Sequence, residues 1–439
     1  NQFTKLDLHD LLPELKSTAT AADHNNGSPK TRVDEILSAE EFADAYAVSP
    51  TDSGVCSRFV MRVVEASLPP NSQPNSTRNG PALILGDNAA AVALKQRLEQ
   101  QGTQVQMLPT GDDIEGILSQ LETICSTSQP LHLFLMTPYD EDAVTALDAE
   151  SWNRRRTRGV MVPYLVCQRW YESVAKAKQL GEASLVAATT MGGDFGFSSG
   201  LPNVESGAIA GLLKGVALEL KMQVREDRFR TKIVDSTAQA SATDVAELLC
   251  RELAADDNEV EVGYYNGKRC LPRPVVESVA TRPANEIPHG ATFVITGGAR
   301  GVTAVVARQL GEKYGAKLHL IGSSPVPNVP DAYLDLSEEE TKELRTTVMK
   351  EGLANGEKPM DTWARYEKSL EIARTLKSFA DDGIQATYHS CDISNRDALS
   401  GLLNTVRAAD GPIQGVIHGA GFERACRFEK KQQYLVDRT

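Results

Sequence analysis

Residues 292–303, TFVITGGARGVT, constrain the fold of this chain more than any other stretch. Phe293 to Ile295 read as a short buried strand, and Thr296 to Gly301 read as a glycine-bearing turn. From Val302 to Tyr314 an apolar pattern with helical spacing follows (Val302, Val305, Val306, Leu310). A strand, a tight turn and a helix in that order specify an α/β unit. They also offer a pyrophosphate site: glycine lets the backbone approach the phosphates, and the helix N-terminus presents unpaired N–H groups with partial positive charge. Glycine is the default residue of any tight turn, so the turn alone says little; its place between strand and helix supplies the confirming context.

The rest of the chain extends the same grammar. The 439 residues suffice for two or three domains. Residues 1–55 are polar and weakly patterned, with linker-like DHNNGSPK at 23–30 and short helix-prone stretches at 6–15 and 33–47. From Arg58 strands and helices alternate. Strands are expected at 58–64, 82–86, 103–108, 131–136, 183–190 and 230–235. Helices are expected at 89–101, 113–126, 152–179 and 204–223. A Pro-bearing linker at 280–289 separates this region from a second βα series. There, strands at 292–296, 317–322, 385–390 and 414–418 alternate with helices at 302–314 and 395–409, and a long charged, helix-prone insertion occupies 325–380. Such alternation indicates parallel sheets with right-handed crossovers. The expected architecture is two tandem Rossmann-like parallel-sheet units, the second incomplete: an extension at 1–55, a first unit at 56–285 and a second at 286–439.

Charge narrows the partners. Lys and Arg number 46 against 59 Asp and Glu, a net charge of −13, which disfavours a nucleic-acid surface or attraction to anionic lipid. The seven cysteines form no CxxC pair and read as reduced cytoplasmic thiols, not as a disulfide framework or a metal site. No apolar run approaches membrane-spanning length, and the first residues lack a signal-peptide pattern.

Within the second unit, candidate ligand-binding residues fall at successive strand ends. Thr296, Gly297, Gly298, Arg300, Gly301 and Val302 form the phosphate turn and helix start. Ser323 and Ser324 follow the second strand. Asp392 and Ile393 end the third, where a carboxylate can accept from an adenine amino group. His418, Gly419, Ala420 and Gly421 end the fourth, where small residues let the backbone pass close to a ribose. Strand-end Asp and Gly residues commonly serve only turns or caps. Their occurrence in order along one sheet edge points to a ligand, because open α/β sheets bind at the C-terminal ends of their strands. The second strand ends in GSSP, without the acidic side chain that selects NAD, while Arg300 can supply a cation for a 2′-phosphate. NADPH is therefore expected over NADH; the plainer reading of Arg300 is a solvated turn residue.

This ordered set resembles the short-chain dehydrogenase/reductase superfamily. TGGARGVT, the insertion and VIHGAG together are most similar to the ketoreductase domains of type I polyketide and polyunsaturated fatty acid synthases. The resemblance covers about residues 56–439 and is most specific over 292–421. Two positions depart from the family pattern: Thr303 stands where many members have a third Gly, and Ser323 where an Arg often grips the 2′-phosphate.

The resemblance implies a non-catalytic structural half followed by a cofactor-binding half. It also implies NADPH-dependent reduction of a β-ketoacyl thioester to the β-hydroxyacyl form inside a multidomain cytoplasmic synthase. The implied partners are an acyl carrier protein bearing the phosphopantetheine-linked substrate and the neighbouring synthase domains; a homodimer stays open. The family's catalytic Ser, Tyr and Lys lie beyond the HGAG strand and are expected to be missing from this chain, which alone would be inactive. Tyr434, with Arg438 four residues on, falls in a helix that normally precedes the catalytic one.

In the first unit, alignment on KGVALEL (214–220) sets Thr189 at the family's Ser position, Pro202 at the Tyr and Ser206 at the Lys, so that unit is expected to be inert; the Gly-rich stretch 189–196 reads as a connecting loop. A non-catalytic nucleotide-binding scaffold within such a synthase is the competing expectation. No metal site is expected.

Overall fold

The computed structural model describes residues 58–69, 79–137, 139, 148–197, 203–223, 229–255, 257–276, 287–421 and 425–438. The N-terminal extension and Pro202 lie outside them. The chain forms two compact units, one of residues 1–280 with 426–431, the other of residues 281–425 with 432–439.

In the first unit, an eight-stranded sheet runs in the order β1-β8-β7-β6-β5-β4-β2-β3. The strands are β1 (Phe59–Glu65), β2 (Ala82–Leu85), β3 (Val105–Leu108), β4 (His132–Leu135), β5 (Ser184–Thr189), β6 (Arg230–Ser236), β7 (Glu261–Tyr265) and β8 (Lys268–Val276). The helices between them are α1 (Ala89–Gln100), α2 (Ile114–Thr127), α3 (Ala149–Arg156), α4 (Val162–Lys176), α5 (Glu205–Gln223) and α6 (Ala242–Leu253). The single long helix expected over 152–179 is interrupted by one π-helical turn, Thr157–Met161, between α3 and α4.

Strands β2, β4 and β5 are buried along their whole length. That is the signature of parallel strands covered on both faces, and it explains their unbroken apolar runs. The sheet is not wholly parallel, however. β8 pairs antiparallel with β7 and β1 antiparallel with β8. The cause is local: Asn266 and Gly267, both at positive φ, form a two-residue reversal that returns the chain on itself.

Charged groups are also buried here. Arg269 (β8) bonds Glu252 (α6) at 2.8 Å and Asp257 at 2.7 Å, and Lys232 (β6), 1% exposed, pairs with Asp257. Removal of one partner would leave an uncompensated interior charge.

Residues 426–431 belong to this unit although they follow the last strand of the other. Phe428 is buried edge-on against Tyr164, with ring centroids 5.6 Å apart. The Gln168 amide donates to the Phe428 and Lys431 carbonyls at 2.8 and 3.0 Å, and the Phe428 N–H donates to Glu219 at 2.9 Å. Burying such a ring contributes about 2 kcal/mol.

The second unit holds a four-stranded, all-parallel sheet in the order β11-β10-β9-β12, with β9 (Thr292–Thr296), β10 (Lys317–Gly322), β11 (Ala386–Ser390) and β12 (Ile413–His418). The helices α7 (Gly301–Tyr314) and α10 (Arg396–Asp410) are crossovers. The 325–380 insertion is a helical pair, α8 (Glu338–Ala354) and α9 (Pro359–Asp381), and α11 (Gln433–Arg438) closes the described chain.

The apolar stripe expected on α7 is not what buries it: Val302 is 77% exposed and Val306 41%. The buried residues are Ala307 and Gly311, small enough for close approach; a Cβ on Gly311 would stand 2.4 Å from the Ile384 side chain. The insertion contributes to the core through Ile372 and Phe379, which cluster with Phe293, Ile295, Leu318 and Leu320.

Candidate dinucleotide site

The chain lays down β9, β10 and β11 in one direction, then returns to place β12 on the other side of β9. The strand order therefore reverses at β9 and β12, and the crevice outside their C-terminal ends is where an open α/β sheet binds a ligand. All of the sequence-derived candidates sit at the C-terminal ends of these four strands or in the turns that follow them.

Thr296 joins two of the segments. Level with His418 across the sheet, its hydroxyl lies 2.8 Å from His418 Nδ1, and its Oγ1 accepts from the Ala420 N–H at 3.2 Å. The Thr296 carbonyl accepts from the Gly419 N–H at 2.9 Å. The glycines allow this contact. A Cβ on Gly297 would lie 2.6 Å from the Gly419 carbonyl oxygen, and one on Gly419 would lie 2.4 Å from Thr303 Oγ1. Thr303, at the family's third-glycine position, thus packs against the backbone of the β12 end. Gly298 is close-packed over Ile295 and Leu320.

Gly301 is different in kind. It begins α7 at φ +55°, a left-handed conformation that favours glycine, yet a Cβ there would meet no protein atom within 4 Å. Its constraint is the backbone path and the open space above it. Arg300, at the N-cap, makes no capping bond with its side chain. The first unit shows the contrast: where β2 leads into α1, Asn88 caps the helix by accepting from the Ala91 N–H at 2.8 Å, and its amide donates to the Met136 carbonyl at 2.8 Å. One helix start is sealed by its own side chain, and the other is not.

Ser323 and Ser324 follow β10. The Tyr388 hydroxyl donates to the Ser324 carbonyl at 2.8 Å. Burial pushes the Tyr388 phenol above its ordinary range while the Arg300 charge pulls the other way. Asp392 caps its own turn: its Oδ1 accepts from the Ser394 N–H at 3.0 Å and from the Ser394 hydroxyl at 2.7 Å. Ile393 packs with Val294, Ile321 and Val406 beneath the site, and the space around a Cβ on Gly421 is open. Tyr434 lies half exposed on α11.

Glu371, in α9, is the residue that the sequence did not disclose. Its carboxylate accepts from Arg300 Nε at 2.6 Å and from the Gly301 N–H at 3.3 Å. The β10 strand end carries no carboxylate, as its GSSP sequence shows, but the insertion brings one to Arg300, which is therefore paired and not the solvated turn residue of the plainer reading. The contact spans 71 positions, and no local pattern in a charged helix singles out one glutamate among many.

In the first unit, Thr189 and Ser206, two of the positions that alignment set against catalytic ones, make internal hydrogen bonds. Asp235, buried at the end of β6, accepts from the Thr189 hydroxyl (2.9 Å) and from the Met191 and Phe195 N–H groups (2.6 and 3.0 Å). Burial pushes its carboxyl up to about 6. Ser206 Oγ, fully buried, accepts from the Thr190 N–H at 3.4 Å. Among the described residues, no group of three or more His, Cys, Asp or Glu side chains is arranged to hold a metal, and no helix is long and apolar enough to cross a membrane.

Comparison with known proteins gives a likeness in sequence and in fold. Residues 291–439 match the KR domain model. The chain is 28% identical over 269 residues to a polyunsaturated fatty acid synthase polypeptide of Thraustochytrium sp., covering 57% of this chain and 9% of that protein. It is 25% identical over 258 residues to polyketide synthase PksL of Bacillus subtilis, covering 57% of this chain and 5% of that protein. The chain thus spans under a tenth of the length of these curated relatives.

Among solved structures, an N-terminal ketoreductase from the macrolactin assembly line superposes with a TM-score of 0.56 at 15% identity, covering 87% of this chain and 68% of that one. A-type ketoreductases from a modular polyketide synthase give 0.55 at 17% identity, with the same coverage. Residues 291–439 are therefore similar to the KR domain family, in a chain with the fold seen in polyketide-synthase ketoreductases.

Proposed function

We propose that this chain is part of an NADPH-dependent β-ketoacyl-thioester reductase, acting on substrate held by phosphopantetheine on an acyl carrier protein within a multidomain fatty acid or polyketide synthase. The observation that carries the reading is the start of α7. Its N-cap side chain leaves it uncapped, Gly301 holds φ +55° where a Cβ would meet no protein atom within 4 Å, and Thr296 ties the preceding β9 end to the β12 end. Such a helix start suits a pyrophosphate through its N–H groups and its partial positive charge.

The roles of the chain's own residues follow from this placement. Gly297 and Gly301 allow backbone approach. Arg300 supplies the cation for a 2′-phosphate, and the Ser323 and Ser324 hydroxyls after β10 are available to the same group. Asp392 accepts from the adenine amino group, and Gly419 to Gly421 pass along the ribose. When bound, NADPH supplies the hydride that reduces the β-carbonyl. The first unit serves as the structural half: its helix start is sealed by Asn88, and its Thr189 and Ser206 are committed to internal hydrogen bonds.

The test is NADPH consumption with a β-ketoacyl thioester on a carrier protein, measured in the synthase polypeptide that contains these residues. Gly301→Val is expected to abolish turnover. Turnover at the unsubstituted rate would refute the reading.

A further inference from the structure

Two donors at the α7 start are those an incoming dinucleotide would need, the Arg300 guanidinium and the Gly301 N–H. One carboxylate holds both. Glu371 Oε2 lies 2.6 Å from Arg300 Nε, and Oε1 lies 3.3 Å from the Gly301 nitrogen. A carboxylate spanning a guanidinium and a helix-terminal amide makes the contacts that a phosphate oxygen pair would make. We propose that Glu371 is an internal phosphate surrogate, a latch from the inserted helix that the cofactor must displace and that weighs more heavily against NADPH than against NADH. The proposal rests on the dinucleotide reading above.

The surroundings of Glu371 make the latch a side-chain motion and not a helix motion. The next residue, Ile372, is buried in the unit's core, as is Phe379 two turns further on. Arg308 of α7 bonds Ser378 and pairs with Asp382, and its guanidinium lies 5.2 Å from the Phe379 ring centroid. Arg374 donates to the Leu334 carbonyl at 2.7 Å. With α9 fixed at these points, the Glu371 backbone stays beside the turn whichever way its carboxylate points. The Glu371 and Arg300 side chains are 41% and 40% exposed, so the carboxylate can rotate into solvent without being trapped, and the pair is screened by salt.

Selectivity follows from which donor each cofactor needs. Both dinucleotides compete with Glu371 for the Gly301 N–H through their pyrophosphate. Only NADPH competes with it for Arg300 as well. A binding-competent state that is only partly populated weakens apparent affinity by that fraction, and an exposed ion pair at the strong end of its range would hold about four-fifths of the molecules closed.

The direction of the effect is diagnostic, because loss of a merely structural contact would weaken binding, whereas loss of a competitor strengthens it. Glu371→Gln keeps the side-chain volume and removes the charge. In calorimetric titrations of the intact chain at low salt, this variant is expected to bind NADPH about fivefold more tightly than the unsubstituted protein, with a smaller gain for NADH. The NADPH gain should shrink in about 1 M NaCl, where screening acts within ~3 Å. It should also shrink in the double variant with Arg300→Ala. Thermal melting of each protein without ligand confirms that it is folded. If NADPH binds and Glu371→Gln leaves its affinity unchanged or lower, the latch is wrong while the dinucleotide site stands. If neither protein binds NADPH or NADH, the dinucleotide reading fails and the latch fails with it.

Discussion

Gly297 lies so close to the Gly419 carbonyl that a β-carbon on it would stand 2.6 Å from that oxygen, with the Ala420 nitrogen at 3.0 Å. The two glycines are the meeting point of the β9 and β12 ends, and backbone on both sides leaves nothing flexible to yield. Gly297 also holds φ +70°. Gly297→Ala is therefore expected to destabilise the second unit by roughly 2–4 kcal/mol, the sum of left-handed strain and overpacking. Thermal unfolding checks this; an unchanged melting temperature would mean that the two strand ends do not meet as described.

Arg300 is proposed to distinguish the two cofactors. On the proposed reading, Arg300→Ala removes the cation that makes a charge-assisted contact to a 2′-phosphate. NADPH affinity is expected to fall by roughly tenfold or more while NADH affinity changes little. Equal losses for both cofactors would remove the charge argument for NADPH.

Asp235 predicts a pH dependence in the first unit. Burial raises its carboxyl from the ordinary 3.8 to about 6, against the pull of its hydrogen-bond donors. Between those values the folded chain holds a proton that the unfolded chain has released. The stabilisation from this group is thus complete below about pH 4 and lost as pH rises through about 6, a span worth about 2–3 kcal/mol. Asp235→Asn cannot titrate, and it turns a donor toward one of the N–H groups that the carboxylate accepts, costing about 1–3 kcal/mol. The stability gap between the two proteins, from denaturant titrations at pH 4.5, 6 and 7.5, should be widest at the lowest pH. A gap independent of pH would show that Asp235 keeps its ordinary value.

Phe428 tests the return of the chain to the first unit. Phe428→Ala removes the ring seated on Tyr164 and Tyr171. It is expected to cost about 3 kcal/mol of first-unit stability while leaving the α7 turn intact. An unchanged denaturation midpoint would mean that the segment contributes no packing there.

These contacts also show what the sequence could disclose. The β9–turn–α7 unit was legible because strand, glycines and helix are contiguous, and the four parallel strands followed from alternation; the return that sets β12 beside β9 did not. The stripe on α7 misled because apolar residues were counted where the structure instead needed small ones: Ala307 and Gly311 approach their neighbours, while Val302 points outward. The β7–β8 hairpin turned a sheet expected to be parallel into a mixed one, through a reversal at Asn266 and Gly267 with no strong flanking pattern. Glu371 and the docking of Phe428 rest on contacts 71 and more than 200 positions apart. Only tertiary structure creates such pairings, so no local signal announces them.

The account turns on the helix start at Gly301, and one titration tests it most directly. A Cβ at this position meets no protein atom within 4 Å, so the main cost of Gly301→Val is the strain of its left-handed backbone, about 2 kcal/mol, and the variant should still fold. What it fills is the space assigned to the pyrophosphate. Calorimetry of NADPH into the folded variant should show no binding where the unsubstituted chain binds one equivalent. Binding of NADPH to Gly301→Val with unchanged affinity would contradict the account.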